Sequence, residues 1–222
     1  MSSHRPFAIL HVCVGNICRS VLAERLTRLE VQRRFGRQAH LVQVVSAGTR
    51  ARPGASMHPY AAAALRALGA ETENSAARRL SPDLVAEADV ILTATATERD
   101  EVLSLVPSAL DRTFTLREFA RLSAHLPPAV PSSPFQPGAV VAAALSLRWR
   151  LPAAALDSDD VGDPRRTRAA FHGCAEVIAE AVRRSVSALL TAGSGRAEPN
   201  PRAPVPPSGG RADGAVQGEH AR

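Results

Sequence analysis

The sequence has no lysine, few aromatic residues, only three cysteines and no long hydrophobic run. No segment approaches the ~18 to 20 consecutive apolar residues that a membrane-spanning helix needs. The N-terminal residues lead into a strand pattern without a cleavable leader, and an odd number of cysteines does not make a secretory disulfide framework. We therefore expect a cytoplasmic protein, not associated with a membrane, whose thiols are kept for chemistry.

All 27 basic residues are arginine, and the formal net charge is +6. Such a charge raises the question of a nucleic-acid partner. The arginines alternate with acidic residues, however, and they are not interleaved with the aromatic side chains that nucleic-acid-binding surfaces use to stack bases. The pattern argues against nucleic acid, and the positive field can instead favour an anionic substrate.

Strand patterns alternate with helical patterns along the chain. Strands are predicted at 7–13, 41–48, 88–94 and 112–116, and helices at 20–36, 57–69, 81–88, 97–106 and 167–190. This alternation predicts an α/β fold with an open parallel sheet that is covered by helices on both faces.

The remaining segments define the domain organisation. Residues 123–156 are rich in proline and alanine and contain one helical stretch at 140–151, so we interpret them as an insertion in a domain that spans 1–190. Residues 191–222 contain five prolines, six glycines and almost no apolar anchor, which predicts a disordered tail.

The residues that suit catalysis are concentrated in the turn after the first strand, which reads CVGNICRS from Cys13 to Ser20. Ligands of α/β sheets bind at the carboxyl ends of the strands, and a loop that opens a helix points its backbone N–H groups at one spot. Such a loop binds anions, and a thiol at its base is stabilised as a nucleophilic thiolate. The candidate phosphate-binding residues are Val14, Gly15, Asn16, Ile17, Cys18 and Arg19.

Individual side chains of this turn also suit phosphoryl transfer. Arg19 can hold two equatorial oxygens of a phosphoryl group with its planar fork, and Ser20 can donate to the Cys13 thiolate. Gly15 permits a positive φ or a close approach of the backbone to the anion, and Asn16 suits a left-handed conformation. The alternative, that Cys13 is merely a small buried hydrophobic residue, does not explain the combination of Cys, Gly-Asn, Arg and Ser.

The turn matches in full the signature CxGNxCRS, and the sequence therefore resembles the low-molecular-weight protein tyrosine phosphatases over roughly 7–122 and 157–190. Weaker matches are Ala23 and Glu24, SAGT at 46–49, ARRL at 77–80, ADVIL at 88–92, and the pair Asp163 and Pro164. The resemblance implies a three-layer sandwich with a four-stranded parallel sheet, no metal or cofactor, and hydrolysis of phosphomonoesters through a phosphocysteine intermediate. The implied substrate is a phosphorylated protein, with phosphotyrosine as the expected residue.

Hydrolysis also needs a general acid for the leaving oxygen. The late segment LDSDDVGDP offers Asp157, Asp159, Asp160 and Asp163. A solvated acidic loop is the simplest interpretation of this segment, but Pro164 fixes the chain after Asp163, and the family's general acid is the aspartate of an Asp-Pro pair. Asp163 is therefore the predicted acid, and Asp160 is the alternative.

Three positions depart from the family. Arg52 and Arg165 stand where the family has aromatic walls for a phenyl phosphate, and Ser75 stands where it has a histidine that supports the loop. These changes weaken the expectation of tyrosine specificity more than that of phosphoryl chemistry. Phe135 or Trp149, from the insertion, could fold over the pocket, although the amphipathic segment around Trp149 favours a core anchor.

The other histidines and cysteines have mostly structural interpretations. His11 and His58 lack partners at metal-ligand spacing and are interpreted as structural or surface residues. Cys174 is interpreted as buried packing on the last helix. Cys18 is either a packing residue under the loop or the partner of Cys13 in a reversible disulfide that protects against overoxidation.

Two other functions stay open at the level of sequence. Arsenate reduction on the same fold uses the same nucleophile but needs further thiols, for which the chain offers only Cys18 and Cys174. A non-catalytic phosphate-binding module would not need the nucleophile, the arginine and the candidate acid, all of which are present. The sequence does not indicate an oligomeric state.

Overall fold

A computed structural model describes residues 5–126, 135–151 and 159–190. Its single sheet has the strands β1 (Phe7–Cys13), β2 (Val42–Gly48), β3 (Val90–Thr93) and β4 (Thr113–Thr115). The strands lie in the order β2-β1-β3-β4, and every neighbouring pair is parallel. The predicted α/β fold with a four-stranded parallel sheet is confirmed.

Seven α-helices are present in the described ranges. They are α1 (Arg19–Phe35), α2 (Pro59–Ala67), α3 (Pro82–Glu87), α4 (Ala96–Leu105), α5 (Leu116–Ser123), α6 (Pro137–Arg148) and α7 (Arg168–Leu190). Short 3₁₀ turns lie at Gly36–Leu41 and Pro107–Arg112. None of the helices in these ranges is long and apolar enough to cross a membrane.

The sheet separates two apolar cores. On one face, strand residues such as Ile9 and Leu92 pack against α1, α2, α5, α6 and α7. On the other face, Leu10 and Ile91 pack against α3 and α4. Successive residues of a strand point to opposite faces, so a strand buried between two layers is mostly apolar, as β1 is apart from His11. The result is a three-layer sandwich.

The strand order places a crevice at the carboxyl end of β1. The chain leaves β1 through α1 toward β2 on one side, whereas β3 lies on the other side of β1. Neighbouring connections that diverge in this way leave an opening above the strand between them. Cys13 is the last residue of β1 and lies opposite Gly48 in the register with β2, so the turn that follows Cys13 lies at this opening.

The helix of the insertion is held by buried apolar residues and by an arginine, and not by the tryptophan. Arg148 pairs with Glu118 at 2.8 Å and lies 4.1 Å from the centre of the Phe114 ring. Trp149 is 75% exposed, so its interpretation as a core anchor is wrong.

Phe135 does not cover the pocket either. Its ring packs against that of Phe35, at the far end of α1 from the loop, with 5.5 Å between the ring centres. Residues 127–134, 152–158 and the tail at 191–222 lie outside the described ranges, so the insertion boundaries and the disordered tail stay predictions.

Candidate active site

The turn after β1 directs its backbone carbonyl groups away from the crevice. The carbonyl oxygens of Cys13, Val14, Ile17 and Cys18 accept hydrogen bonds at 2.8 to 2.9 Å from the backbone N–H groups of Thr49, Arg50, His58 and Leu22. In the described ranges, no backbone N–H of residues 14–18 donates to another protein group. The first turn of α1, which follows, contains no acidic residue. Available donors at a helix N-terminus suit an anion, and the phosphate-binding role of residues 14–18 stays a prediction.

Asn16 connects this turn to its surroundings. It has a φ of 52°, the left-handed conformation that the sequence predicted. Its side-chain oxygen accepts the backbone N–H of Arg78 at 2.7 Å, which orients the amide group. Its nitrogen then donates to the hydroxyls of Ser20 at 2.9 Å and Ser46 at 2.8 Å, and Ser46 donates to the buried Glu24 carboxylate. Asn16 therefore fixes the loop to α1, β2 and the segment 77–80.

Gly48 has a steric role at the loop. Gly15 does not have a positive φ, so of the two reasons expected for this glycine only the close approach of the backbone to the anion stays a prediction. A Cβ atom added to Gly48 would lie 2.5 Å from the carbonyl oxygen of Val14 and 2.8 Å from the nitrogen of Asn16. Only glycine at position 48 lets the end of β2 approach the loop this closely.

Cys13 and Ser20 form the base of the site. The thiol is 3% exposed, and its Sγ lies 2.9 Å from the Ser20 hydroxyl. Because the Ser20 oxygen already accepts from Asn16, its own proton is available to the sulfur. Ser20 can thus donate to a thiolate, as the sequence suggested.

Arg19 lies between a buried carboxylate and an exposed one. Its Nη2 is 3.2 Å from Glu98, which is 2% exposed, and its Nη1 donates to the carbonyl oxygen of Val161 at 3.2 Å. Its Nε is 3.1 Å from Asp163, whose side chain is 76% exposed. This last contact is an ion pair by distance and not an aligned hydrogen bond, because Nε has no acceptor with suitable geometry in the described ranges.

The other aspartates of the late segment have structural contacts. Asp160 accepts the backbone N–H of Ala96 at 2.8 Å, at the start of α4. Asp159 pairs with Arg121 at 2.7 Å. Asp157 lies outside the described residues. In this structure Asp163 is the aspartate whose carboxylate reaches Arg19.

Both histidines near the site have structural positions. His11 is 1% exposed, its Nε2 lies 2.9 Å from the Thr27 hydroxyl, and burial lowers its pKa to about 3. His58 is the N-cap of α2, accepts the N–H of Tyr60 through Nδ1 at 3.2 Å, and stacks on Phe171 with 4.2 Å between ring centres. The structural interpretation of both is confirmed.

Cys174 packs against the apolar core, as interpreted from the sequence. It is only partly buried. Its Sγ also lies 3.9 Å from the carbonyl oxygen of Gly162, beside Asp163. Cys18 itself is 8% exposed and belongs to the apolar core. The described part of the chain contains no disulfide, and all three thiols are free.

The arginines in place of aromatic walls are exposed. Arg52 lies in the turn after β2, next to Ala51, whose side chain packs close to Gly48. Arg165 follows Asp163 by two residues. Neither forms an ion pair within the described ranges, so neither charge is neutralised by an acidic partner there.

Sequence reasoning missed the role of Glu98. Its position in the first turn of α4 suggests only a helix-dipole interaction, and its contact with Arg19 depends on how α4 packs beside the loop. Ser46, Gly48 and Arg78, by contrast, belong to segments that had matched the family framework, although their contacts could not be read from the sequence.

The loop has free N–H donors, a buried thiol at its base and an arginine at the start of the following helix. This combination is typical of enzymes that handle phosphoryl groups through a cysteine. A model of the low molecular weight phosphotyrosine protein phosphatase family matches residues 8–135, more than half of the chain. The chain belongs to this family and is a hydrolase of the low-molecular-weight phosphatase type. The match includes Cys13 to Ser20 and ends before Asp163.

Relatives with similar sequences are named as phosphatases. The chain is 32% identical over 114 residues to a protein-arginine-phosphatase of Geobacillus stearothermophilus, covering 51% of this chain and 72% of the relative. It is 34% identical over 110 residues to the probable low molecular weight protein-tyrosine-phosphatase EpsP of Ralstonia nicotianae, covering 50% and 70%.

Solved structures show the same fold. The Erwinia amylovora tyrosine phosphatase AmsI superposes with a TM-score of 0.61 at 22% identity, over 86% of this chain and 97% of that one. The arginine phosphatase YwlE of Geobacillus stearothermophilus gives a TM-score of 0.60 at 24% identity, over 84% and 94%.

Proposed function

We propose that this protein removes the phosphoryl group from phosphotyrosine in proteins, with Cys13 as nucleophile, Arg19 as phosphoryl ligand and Asp163 as general acid. The observation that carries the proposal is the Arg19 guanidinium, which follows the loop of Cys13 directly and lies 3.1 Å from the Asp163 carboxylate. A phosphoryl group bound by the loop and by Arg19 therefore has the acid beside it.

In the first step the Cys13 sulfur attacks phosphorus, and the bond from phosphorus to the tyrosine oxygen breaks. The backbone N–H groups of residues 14–18 and the Arg19 fork stabilise the charge on the equatorial oxygens. Asp163, in its protonated form, donates its proton to the leaving oxygen.

In the second step water attacks the phosphocysteine. The Asp163 carboxylate now accepts a proton from that water, the phosphorus–sulfur bond breaks, and Cys13 leaves as a thiolate. The Ser20 hydroxyl, 2.9 Å from Sγ, donates to this thiolate and makes it a better leaving group.

Phosphoarginine is the second candidate substrate, because some of the relatives are named as arginine phosphatases. A phosphoarginine side chain would leave as a guanidinium, which is cationic. The exposed and unpaired Arg52 and Arg165 would repel this leaving group if they face the mouth of the site. This electrostatic argument favours phosphotyrosine.

The test is phosphate release from matched peptides that carry phosphotyrosine or phosphoarginine. We expect faster release from phosphotyrosine, and a fall to background in Cys13→Ser, because the loop does not ionise a serine hydroxyl. Cys174→Ser makes the same chemical change outside the loop and should keep the activity. Parental activity in Cys13→Ser would refute the mechanism, and preference for phosphoarginine would refute the substrate.

A further inference from the structure

Asp159 ties the start of the late acidic segment to α5. Its carboxylate accepts two hydrogen bonds from Arg121, from Nε to Oδ1 at 3.1 Å and from Nη2 to Oδ2 at 2.7 Å. Its carbonyl oxygen accepts the hydroxyl of Thr115 at 2.7 Å, and Thr115 is itself the N-cap of α5. Two parallel bonds between an arginine fork and a carboxylate fix direction as well as distance. Asp159 is therefore held in one orientation by α5.

Val161 continues this anchored segment. Its side chain is 3% exposed and belongs to the apolar core. Its backbone N–H donates to the carbonyl oxygen of Ala94, directly after β3, at 2.7 Å, and its carbonyl oxygen accepts from Arg19 at 3.2 Å. The next two residues, Gly162 and Asp163, are exposed. The buried part of the segment therefore ends two residues before Asp163.

The position of Asp163 depends on this segment. In the described ranges its carboxylate contacts Arg19 at 3.1 Å, without the alignment of a hydrogen bond. A protonated Asp163 has no charge to pair with Arg19, so this contact does not hold the acid in the form that donates a proton. The direction from which Asp163 approaches the phosphoryl group is then set by the backbone of 159–161.

We propose that Arg121 is a positioning residue for catalysis, which holds the general acid Asp163 within reach of the leaving oxygen through its ion pair with Asp159. This role rests on the proposed function, in which Asp163 protonates the leaving group. Arg121 acts through the segment 159–161 and not through the phosphate loop. A misplacement of ~1 Å at a catalytic group can cost about 10²-fold in rate, so loss of the ion pair should be visible in the step that needs the acid.

The surroundings of the ion pair allow it to be removed without unfolding the chain. The side chains of Arg121 and Asp159 are 31% and 23% exposed, and they line an open groove of about 680 Å³ between α5 and α7. Water can therefore solvate the charge that remains when one partner is replaced. α5 keeps its capping box and its buried residues Phe119 and Leu122. We therefore expect Arg121→Gln to fold.

The experiment measures kcat for phenyl phosphate and nitrophenyl phosphate in the parent, Arg121→Gln, Asp163→Asn and the double variant. We expect Arg121→Gln to slow phenyl phosphate by ~10- to 10²-fold. Nitrophenyl phosphate should be slowed much less, since nitrophenolate leaves without a proton and Arg19 stays paired with Glu98. In the double variant, Arg121→Gln should add no further loss on phenyl phosphate, because no acid is left to position. Arg121→Lys, which keeps the charge, should recover part of the rate.

Matched variants control for charge and for folding. Asp159→Asn removes the other partner of the ion pair, so it should reproduce Arg121→Gln, and it replaces that variant if the latter does not fold. Arg184→Gln removes the same charge from the same groove, where Arg184 pairs with Glu180 at 2.7 Å, and should keep both parental rates. Asp160→Asn keeps an oxygen for the backbone N–H at the start of α4, so it leaves the segment in place.

The outcomes separate the positioning role from the proposed function. Equal losses on both esters in Arg121→Gln, or a loss on phenyl phosphate that adds to that of Asp163→Asn, would overturn the positioning role and leave a structural one. If Asp163→Asn is selective for phenyl phosphate and Arg121→Gln is not, only the positioning role fails. If Asp163→Asn slows both esters equally, Asp163 is not the acid, and the proposed assignment fails together with the role of Arg121.

Discussion

The Arg19 guanidinium is held by two carboxylates of very different exposure. Glu98 is 2% exposed, and breaking a buried ion pair costs about 3–5 kcal/mol, because one charge is left without a partner. The Asp163 side chain is 76% exposed, and an exposed pair contributes only ~0–1 kcal/mol. Arg19 should therefore keep its orientation throughout the reaction, whereas Asp163 can exchange Arg19 for a leaving group at little cost.

This difference predicts a dependence on the leaving group. Asp163→Asn should slow hydrolysis of phenyl phosphate by about 10²- to 10⁴-fold, the usual contribution of a general acid. It should slow hydrolysis of nitrophenyl phosphate much less, because nitrophenolate leaves without a proton. The measurement is kcat for both esters in the parent and in the variant.

Asp160→Asn is the matched control for this prediction. It removes the same charge from the same segment, but its carboxylate caps α4, so we expect a loss of stability of ~1 kcal/mol and no change in leaving-group dependence. If Asp163→Asn affected both esters equally, the general acid would have to be another residue.

At the scale of elements, the loop depends on three separate segments that meet at the end of β1. Asn16 bonds to α1, to β2 and to the backbone of Arg78, and Gly48 allows β2 to approach. These segments are far apart in sequence. The anion site is therefore a property of the assembled fold, and the eight-residue signature alone cannot form it.

The fold could be predicted because its signals are local. Apolar runs and helical spacing predicted the four strands and most helices to within two or three residues, and one contiguous motif marked the turn after β1 as the candidate phosphate loop. The role of Glu98 could not be predicted, since its contact with Arg19 depends on where the assembled fold places the start of α4 relative to the loop. Trp149 misled because it follows an apolar helical stretch, while the contacts that hold that helix belong to Val141, Ala144 and Arg148.

A buried histidine in β1 predicts a pH dependence of stability. Burial lowers the pKa of His11 in the folded protein to about 3, whereas an unfolded histidine titrates near ~6.5. Between these values the unfolded chain binds a proton that the folded chain does not, so His11 makes stability rise with pH. The contribution is ~1.4 kcal/mol per pH unit, lost as the pH falls from about 6.5 toward 3.

The check is the free energy of unfolding from pH 7 to pH 4 in the parent and in His11→Gln, which removes the titration but can still bond to Thr27. We expect a shallower slope in the variant, and because slopes are compared, a uniform loss of stability does not matter. His172→Gln, on the exposed face of α7, is the control and should keep the parental slope. Equal slopes in parent and His11→Gln would contradict the prediction.

At the scale of the whole molecule, the net charge is positive, and the arginines differ in whether an acidic side chain neutralises them. The net charge is +6, but many arginines are engaged in ion pairs with acidic neighbours, for example Arg50 with Glu101 and Arg121 with Asp159. Arg52 and Arg165 have no such partner in the described ranges, and both lie in segments that flank the loop. Positive charge without an acidic partner is therefore found in the segments beside the loop. Such charge favours anionic ligands.

This distribution predicts a preference for phosphotyrosine peptides with acidic flanking residues. Contacts at the mouth of the site persist from ground state to transition state, so the preference should be expressed in KM more than in kcat. It should fade with added salt, because exposed charges are screened over a Debye length of ~8 to 10 Å. The measurement is kcat/KM for acidic and neutral peptides at low and high salt in the parent and in Arg52→Gln with Arg165→Gln.

The control, Arg37→Gln with Arg150→Gln, removes the same charge from exposed positions away from the loop and should keep the preference. If both double variants lost it equally, net charge would be responsible; if neither did, Arg52 and Arg165 would point away from the substrate.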